Sequence, residues 1–189
     1  MKRFLLLLIS IALAVSLYVC SQEKSEEKPK SKAEAAGIQL KTVAPFTYVG
    51  LKHVGPYQDH SKVIDEFLSL AEKQELNLSG PMMGFYYNNP EKVPAEKLSW
   101  MIAFEVEDTS KVKPPLETGT FQQSEVLSYL HIGSPENTAG AYHKLHEYMN
   151  THGLQPAGAP IERFLSPHTT SAPPESLKTE IWFPVNKAK

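Results

Sequence analysis

Phe46–Gly55 reads FTYVGLKHVG, and Glu125–Gly133 reads EVLSYLHIG. Each stretch alternates apolar and polar residues, which is typical of a β-strand, and each ends in a glycine that indicates a turn. The two closing glycines are 78 residues apart, as are Gly80 and Gly158 further along the chain. A constant offset of this kind predicts that one structural unit occurs twice.

The elements that follow each glycine repeat in the same order. An amphipathic helix of about 14 residues comes first, then a polar link, a strand at 82–87 or 160–165, a proline-rich loop, and a last strand at 98–106 or 177–185. A three-stranded sheet with one helix leaves an edge and a face uncovered, so two copies should join. We therefore predict an α+β fold of two β-α-β-β modules, about 42–110 and 119–189. They should be related by a pseudo-twofold axis, with helices packed on antiparallel sheets and a central ligand groove.

The N-terminus has the order of an export signal. Two basic residues precede an apolar run from Phe4 to Val19, and Cys20 follows it; the run is shorter than the roughly 20 residues of a membrane-spanning helix. Residues 17–21 resemble a lipobox, although Val19 stands where Gly, Ala or Ser is usual. We expect residues 1–20 to be the signal of a lipoprotein that is acylated at Cys20. The acyl chains would anchor the protein to a membrane of a bacterial cell envelope, at the extracytoplasmic face. Secretion and an uncleaved signal anchor are the alternatives.

Composition separates the rest of the chain into a tether and a domain. Residues 21–41 mix both charge signs and offer little to bury, which predicts a flexible tether. Residues 42–189 have the size of one domain. Without the two basic residues of the leader, 17 Lys and Arg stand against 21 Asp and Glu, a net charge of −4 with His neutral. No basic stripe suggests a nucleic-acid partner.

Metal and cofactor sites find no support in the sequence. His143 and His146 are the only helical histidine pair with loosely metal-like spacing, and no cysteine or acidic cluster completes a ligand set. Phosphate-binding loops and hydrolase nucleophile motifs are also missing. We predict neither a metal nor a cofactor.

Several motifs in order resemble one known family. They are Gly55-Pro56-Tyr57, Gly80-Pro81 followed by Gly84-Phe85-Tyr86, Phe104-Glu105-Val106 and Thr179–Val185 (TEIWFPV). Together they resemble the GyrI-like small-molecule-binding domain, which is related to the effector-binding domains of AraC-type and MerR-type regulators. The resemblance implies a groove between the modules that binds hydrophobic, often cationic aromatic compounds, with a carboxylate on a late strand as anchor.

Glu180 is the predicted anchor. Its partner in the first copy is Met101, so a carboxylate breaks the repeat at that position. Strand alternation places Glu180 and Trp182 on one face, and an acid beside an indole suits an aromatic cation. If apolar neighbours desolvate it, the pKa of Glu180 should be raised.

Aromatic residues are the other predicted ligand contacts. Tyr86 lies where the family places an aromatic wall, and alternation puts Phe85 on the opposite face from it. Trp100 on the last strand of the first copy suits either core or groove. Tyr57, after a glycine turn, could close one end of the groove.

Four functions stay open at this stage. The first is an exported, membrane-tethered module that captures or senses hydrophobic or cationic aromatic compounds. The second is a hydrolase of cyclopropane-bearing toxins that uses Glu180 and Tyr86. The third is a haem carrier, which shares the duplicated architecture but for which no histidine is well placed. The fourth is a protein-interaction module of the envelope.

Overall fold

A computed structural model describes residues 37–122, 124–166 and 172–187. These residues form nine β-strands and two α-helices, joined by turns, loops and four short 3-10 helices. The strands are β1 (Ile38–Val43), β2 (Phe46–Val54), β3 (Leu78–Tyr86), β4 (Ser99–Val106), β5 (Glu117–Phe121), β6 (Ser124–Ile132), β7 (Leu154–Pro156), β8 (Ile161–Phe164) and β9 (Lys178–Lys187), and the helices are α1 (His60–Lys73) and α2 (Ala139–Thr151).

All strands pair antiparallel in one sheet. Their order is β1-β6-β9-β8-β3-β4-β2-β5, and β7 pairs with β9 beside this path. The first module is β2-α1-β3-β4 and the second is β6-α2-β8-β9, and the pair β3–β8 joins them at the centre. The predicted α+β fold of two antiparallel β-α-β-β modules is confirmed.

Both helices cover the same face of the sheet. Helix α1 buries an apolar stripe that includes Phe67 against Trp100 and Phe164. Helix α2 buries Leu145 against Ile181. Phe164 and Glu162 are two residues apart and therefore lie on the same side of β8. Ile181 is the strand partner of Glu162 and lies on that side too. This side of the sheet is the helix-bearing face.

The opposite, helix-free face is also buried over most of its centre. Met83, Phe85, Met101 and Trp182 lie there, each at most 5% exposed. No helix covers them, because the sheet curls on itself instead. The ring of Phe121, on the edge strand β5, lies 6.2 Å from that of Trp182 on β9. Curling therefore makes a half-barrel whose interior is this second core.

The fold begins earlier than the sequence analysis placed it. Residues 38–41, assigned there to the flexible tether, lie in strand β1, which pairs with β6. Ile38 is only 2% exposed and packs in the α2 cluster, so the last part of the predicted tether belongs to the sheet.

The predicted leader and Cys20 lie outside the described residues, and acylation stays a prediction. Within the described ranges, neither helix has the length and apolar character needed to cross a bilayer.

Candidate functional site

A buried carboxylate lies at the seam between the modules, on the helix-bearing face. Glu162 on β8 is the strand partner of Gly84 on β3, and these two positions are also equivalent in the repeat, 78 residues apart. Glu162 is 5% exposed. The pseudo-twofold relation of the modules therefore puts a single acid at their junction, where the other copy has only a glycine.

Hydroxyl groups from both modules converge on this carboxylate. The Tyr86 hydroxyl donates to Oε2 of Glu162 at 3.4 Å, and the hydroxyl groups of Tyr142 and Thr138 act to lower the pKa of the same carboxyl group. Tyr142 lies on α2, and Thr138 immediately precedes that helix. The residues that approach Glu162 from the second module thus come from the start of its helix.

Aromatic rings of the first module complete the surroundings. Tyr57 meets Tyr86 edge to face, with ring centroids 5.3 Å apart, and stacks on the His60 imidazole at 5.6 Å. His60 begins α1, and its ring packs edge-on against Trp100 at 4.3 Å. We call Glu162, Tyr57, His60, Tyr86 and Tyr142 the seam cluster. Its aromatic members have the geometry in which rings pack favourably.

The electrostatics of the seam cluster are unusual for a carboxylate. Burial raises the pKa of Glu162 to about 7, although the hydroxyl groups of Tyr142, Thr138 and Tyr86 act in the opposite direction. Among the described residues, no Lys or Arg nitrogen forms a salt bridge with it. An acid buried without a basic partner is costly when ionised. Near neutral pH, Glu162 can therefore gain or lose a proton.

Two residues near Glu162, His60 and Trp100, are also largely shielded from water. Burial, aided by His53, lowers the pKa of His60 to about 4, so its imidazole is neutral at physiological pH. Its Nε2 lies 3.5 Å from the Tyr86 hydroxyl. Trp100 is fully buried, and its indole N–H donates to the Gly55 carbonyl at 3.0 Å. Trp100 thus forms the floor beneath His60 rather than an exposed wall.

Gly84 gives Tyr86 its position. A Cβ atom at residue 84 would lie 2.7 Å from the Tyr86 hydroxyl oxygen, closer than such contacts occur. The absence of a side chain therefore lets the phenol fold back over the strand and reach Glu162. Fixing the hydroxyl in this way is the structural role of the glycine in the GFY motif.

Glu180 lies on the helix-free face, away from the seam cluster. Its carboxylate accepts hydrogen bonds from Ser128 at 2.7 Å, from Arg163 at 2.8 Å, and from Lys41. Burial acts to raise its pKa, but the hydrogen bonds from Lys41 and Ser128 prevail and lower the pKa of Glu180 to about 2. The expected rise in this pKa is wrong, because hydrogen bonds from Lys41 and Ser128 stabilise the ionised carboxylate.

The other predicted contacts divide between the two faces. Tyr57, Tyr86 and Trp100 lie on the helix-bearing face, near Glu162. Phe85 and Trp182 lie inside the half-barrel, where Phe85 stacks on Tyr48 at 4.7 Å. The proposed pairing of Glu180 with Tyr86 in one groove is therefore not what the structure shows, because the sheet separates them.

Three members of the seam cluster escaped the sequence analysis: Glu162, His60 and Tyr142. One signal for Glu162 was available, since a carboxylate opposite Gly84 breaks the repeat as clearly as Glu180 opposite Met101 does. His60 and Tyr142 read as ordinary helix residues. Within the described parts of the chain, no three His, Cys, Asp or Glu side chains are grouped closely enough to hold a metal ion.

Solved structures share this fold at low sequence identity. The C-terminal domain of EcmrR superposes with a TM-score of 0.72 at 17% identity, covering 80% of this chain and 98% of that domain. In the EcmrR–DNA complex the match spans only 57% of the longer EcmrR chain. A hydrolase from Listeria innocua gives a TM-score of 0.59 at 16% identity, covering 79% of this chain and 91% of its own.

A ligand-bound structure is also similar. SAV2435, solved bound to tetraphenylphosphonium, gives a TM-score of 0.54 at 20% identity and covers 79% of this chain and 93% of its own. Comparison with curated proteins gives no match. The sequence profile of the GyrI-like small molecule binding domain matches residues 37–186. The match spans nearly all of the described fold, and the chain therefore belongs to the GyrI-like small-molecule-binding domain family.

Proposed function

We propose that the chain binds a hydrophobic, cationic aromatic molecule in the seam cluster, with Glu162 as the counter-charge. The supporting observation is the burial of Glu162 among aromatic rings, without a salt bridge to a described Lys or Arg. A delocalised organic cation would supply the missing charge and would also gain from contact with the faces of the rings. The tetraphenylphosphonium bound by SAV2435 is a molecule of this class.

We infer that a ligand reaches the carboxylate past two half-buried tyrosines. Tyr57 and Tyr142 are each intermediate in exposure, whereas Tyr86 and Glu162 are nearly covered. A ligand the size of tetraphenylphosphonium must therefore displace these rings to reach Glu162. Rotation of tyrosine side chains would open the cluster without disturbing the sheet beneath it. The ligand would then stabilise an open arrangement of the tyrosine side chains in which the pocket exists.

The test is calorimetric titration of the full chain with tetraphenylphosphonium. Glu162→Gln keeps the shape of the side chain but removes its charge, and we expect affinity to fall by about 30-fold or more, as for a desolvated charge pair. Glu180→Gln, on the helix-free face, is the matched control and should leave affinity unchanged. Equal loss in both variants, or loss in Glu180→Gln alone, would refute the assignment of the anchor.

Protonation of Glu162 gives a second readout. Only the ionised carboxylate attracts a cation, so affinity should rise as pH increases through about 7, the pKa of Glu162. Triphenylphosphine oxide, a neutral aromatic of similar bulk, should show no such rise. A pH-independent affinity for the cation would contradict the proposal.

Hydrolysis is a second candidate function, favoured by one contact. The Tyr86 hydroxyl lies between Glu162 Oε2 and His60 Nε2, at 3.4 Å and 3.5 Å. A carboxylate that titrates near neutrality, oriented by a phenol, suits a general base that activates water. Turnover of a cyclopropane-bearing compound by the wild type, lost in both Glu162→Gln and Tyr86→Phe, would establish this activity.

Export and membrane attachment through Cys20 remain proposals that rest on the sequence alone. Labelling cells with an alkyne fatty acid should tag the wild type and not Cys20→Ala. Labelling of both proteins would exclude acylation at this cysteine.

A further inference from the structure

A second charged cluster lies on the helix-free face, at one end of the half-barrel. Glu180 is bound there by Arg163 on β8 and by Lys41 on β1. The Trp182 ring packs against both cations: the Arg163 Cζ lies 4.2 Å from the ring centroid, and the Lys41 Nζ 4.8 Å. Alternation along β9 places Lys178 on this face too. Strands β1 and β8 therefore bring two cations onto the Glu180 carboxylate, and Lys178 lies one strand repeat away on β9.

The cluster has more positive charge and more donors than Glu180 can use. Lys41 and Arg163 against Glu180 leave a net charge of +1, and Lys178 adds a further cation along the same face. Arg163 donates to Glu180 only through Nη1, and its Nε is buried with no acceptor among the described residues. A buried donor without an acceptor destabilises the fold. The Glu180 carboxylate keeps the pair oriented, and donor capacity remains for another anion.

An exposed apolar patch continues from the charged cluster. Leu130 is the strand partner of Glu180, and Ile132 is the strand partner of Lys178. Leu165 lies one residue beyond the end of β8 and two residues after Arg163, and its N–H donates to the Lys178 carbonyl. These three side chains are 45%, 60% and 43% exposed. They lie on the helix-free face, and Ile132 and Leu165 lie one strand repeat, about 7 Å, beyond Leu130 and Arg163.

A cleft adjoins the same residues. It has a volume of about 470 Å³ and is lined by Pro81, Met82, Arg163, Phe164 and Leu165, among others. This volume lies within the usual range for small-molecule sites. Arg163 thus belongs both to the charged cluster and to the lining of the cleft, and Leu165 belongs both to the apolar patch and to that lining.

We propose that this end of the helix-free face is a second binding site, which takes a free amphiphilic anion such as a medium-chain carboxylate. The carboxylate accepts hydrogen bonds from Arg163 and attracts Lys41 and Lys178, while the apolar chain lies along Leu165 and Ile132. The sheet separates this site from Glu162, so one chain holds a site for each sign of charge, on opposite faces. This inference does not depend on the function proposed for the seam cluster.

The experiment is calorimetric titration of the full chain with decanoate, below its micelle-forming concentration. Arg163→Gln should weaken binding about tenfold or more, the effect of losing a hydrogen bond to a charged group. Leu165→Gln leaves the charged cluster intact and should weaken binding several-fold through lost apolar contact. Lys52→Gln is the matched control. It also removes a positive charge, but Lys52 lies in the first module, at the repeat equivalent of Leu130. It should bind decanoate as the wild type does.

Leu165 is exposed, so its variant keeps the test decisive if Arg163→Gln fails to fold. Any one of the following outcomes would overturn the proposal. Decanoate could fail to bind, or bind both variants as well as the wild type. Decyltrimethylammonium, of opposite charge, could compete for the same residues. Phosphatidylglycerol vesicles could bind through Arg163 while monomeric decanoate does not, which would indicate a lipid surface instead. Loss of decanoate binding in Glu162→Gln would likewise refute the location.

Discussion

Replacing Glu162 by Gln should change how the stability of the protein depends on pH. Burial raises the pKa of Glu162 to about 7 in the folded state, against an ordinary value of 4.5. The folded state therefore holds the proton more tightly than the unfolded state. Stability from this group is fully present below pH 4.5 and is lost as pH rises through about 7. At 1.36 kcal/mol for each pKa unit, the loss is about 3 kcal/mol.

Other groups act in the same range and must be separated from Glu162. Burial lowers the pKa of His60 from 6.5 to about 4, so its contribution is present above pH 6.5 and is lost as pH falls through about 4. The two effects oppose each other, and the wild-type profile alone can look flat. His60 is common to the wild type and Glu162→Gln, so its contribution cancels to first order in the difference between them.

The assay is urea unfolding of both proteins between about pH 4.5 and pH 8. We expect the free energy of unfolding of the wild type to fall by about 3 kcal/mol relative to Glu162→Gln across this range. Glu107→Gln removes an exposed carboxylate and controls for net charge. A difference between wild type and Glu162→Gln that does not change with pH would refute the claim that Glu162 is buried without a counter-charge.

Two further predictions concern the second module. Ile38→Ala should lower the free energy of unfolding by about 2–4 kcal/mol in urea, because Ile38 is 2% exposed and packs beneath α2; an effect near zero would mean that β1 belongs to the tether. Hydrogen bonds from Lys41 and Ser128 outweigh burial and lower the pKa of Glu180 to about 2, so stability from this group is present above pH 4.5 and lost as pH falls through about 2. Acid unfolding of Glu180→Gln should lack this component, and identical acid transitions in both proteins would contradict the ion pairs.

The repeat carried most of the fold prediction. Strand β2 has the bounds read from the alternation, Phe46–Val54, and both helices follow the glycines that the 78-residue offset identified. Periodicity works where a strand has an exposed face, as at the ends of β2 and β6, where exposed residues alternate with more buried ones. The edge strands were harder: β1 was assigned to the tether and β5 was not predicted. Both pair with a single neighbour, and their place depends on the curl of the sheet.

The candidate site was predicted less well than the fold. Tyr57 and Tyr86 were selected and lie in the seam cluster, whereas Glu180 was selected as anchor and lies on the other face. Alternation correctly placed Glu180 with Trp182, but it could not say which side of the sheet the helices cover. The sequence pattern around a strand glutamate does not show whether its neighbour in the folded protein is a lysine or a tyrosine.

The sequence by itself determined the duplicated β-α-β-β order, because hydrophobic period and glycine spacing are local properties of the chain. The family followed from motifs that are equally local. Tertiary structure alone decided which carboxylate is buried without a cation. That distinction depends on Lys41 and Arg163, which approach Glu180 from separate strands, and on Tyr86 and Tyr142, which approach Glu162 from separate modules. Contacts between residues distant in the chain set the charge state of each acid.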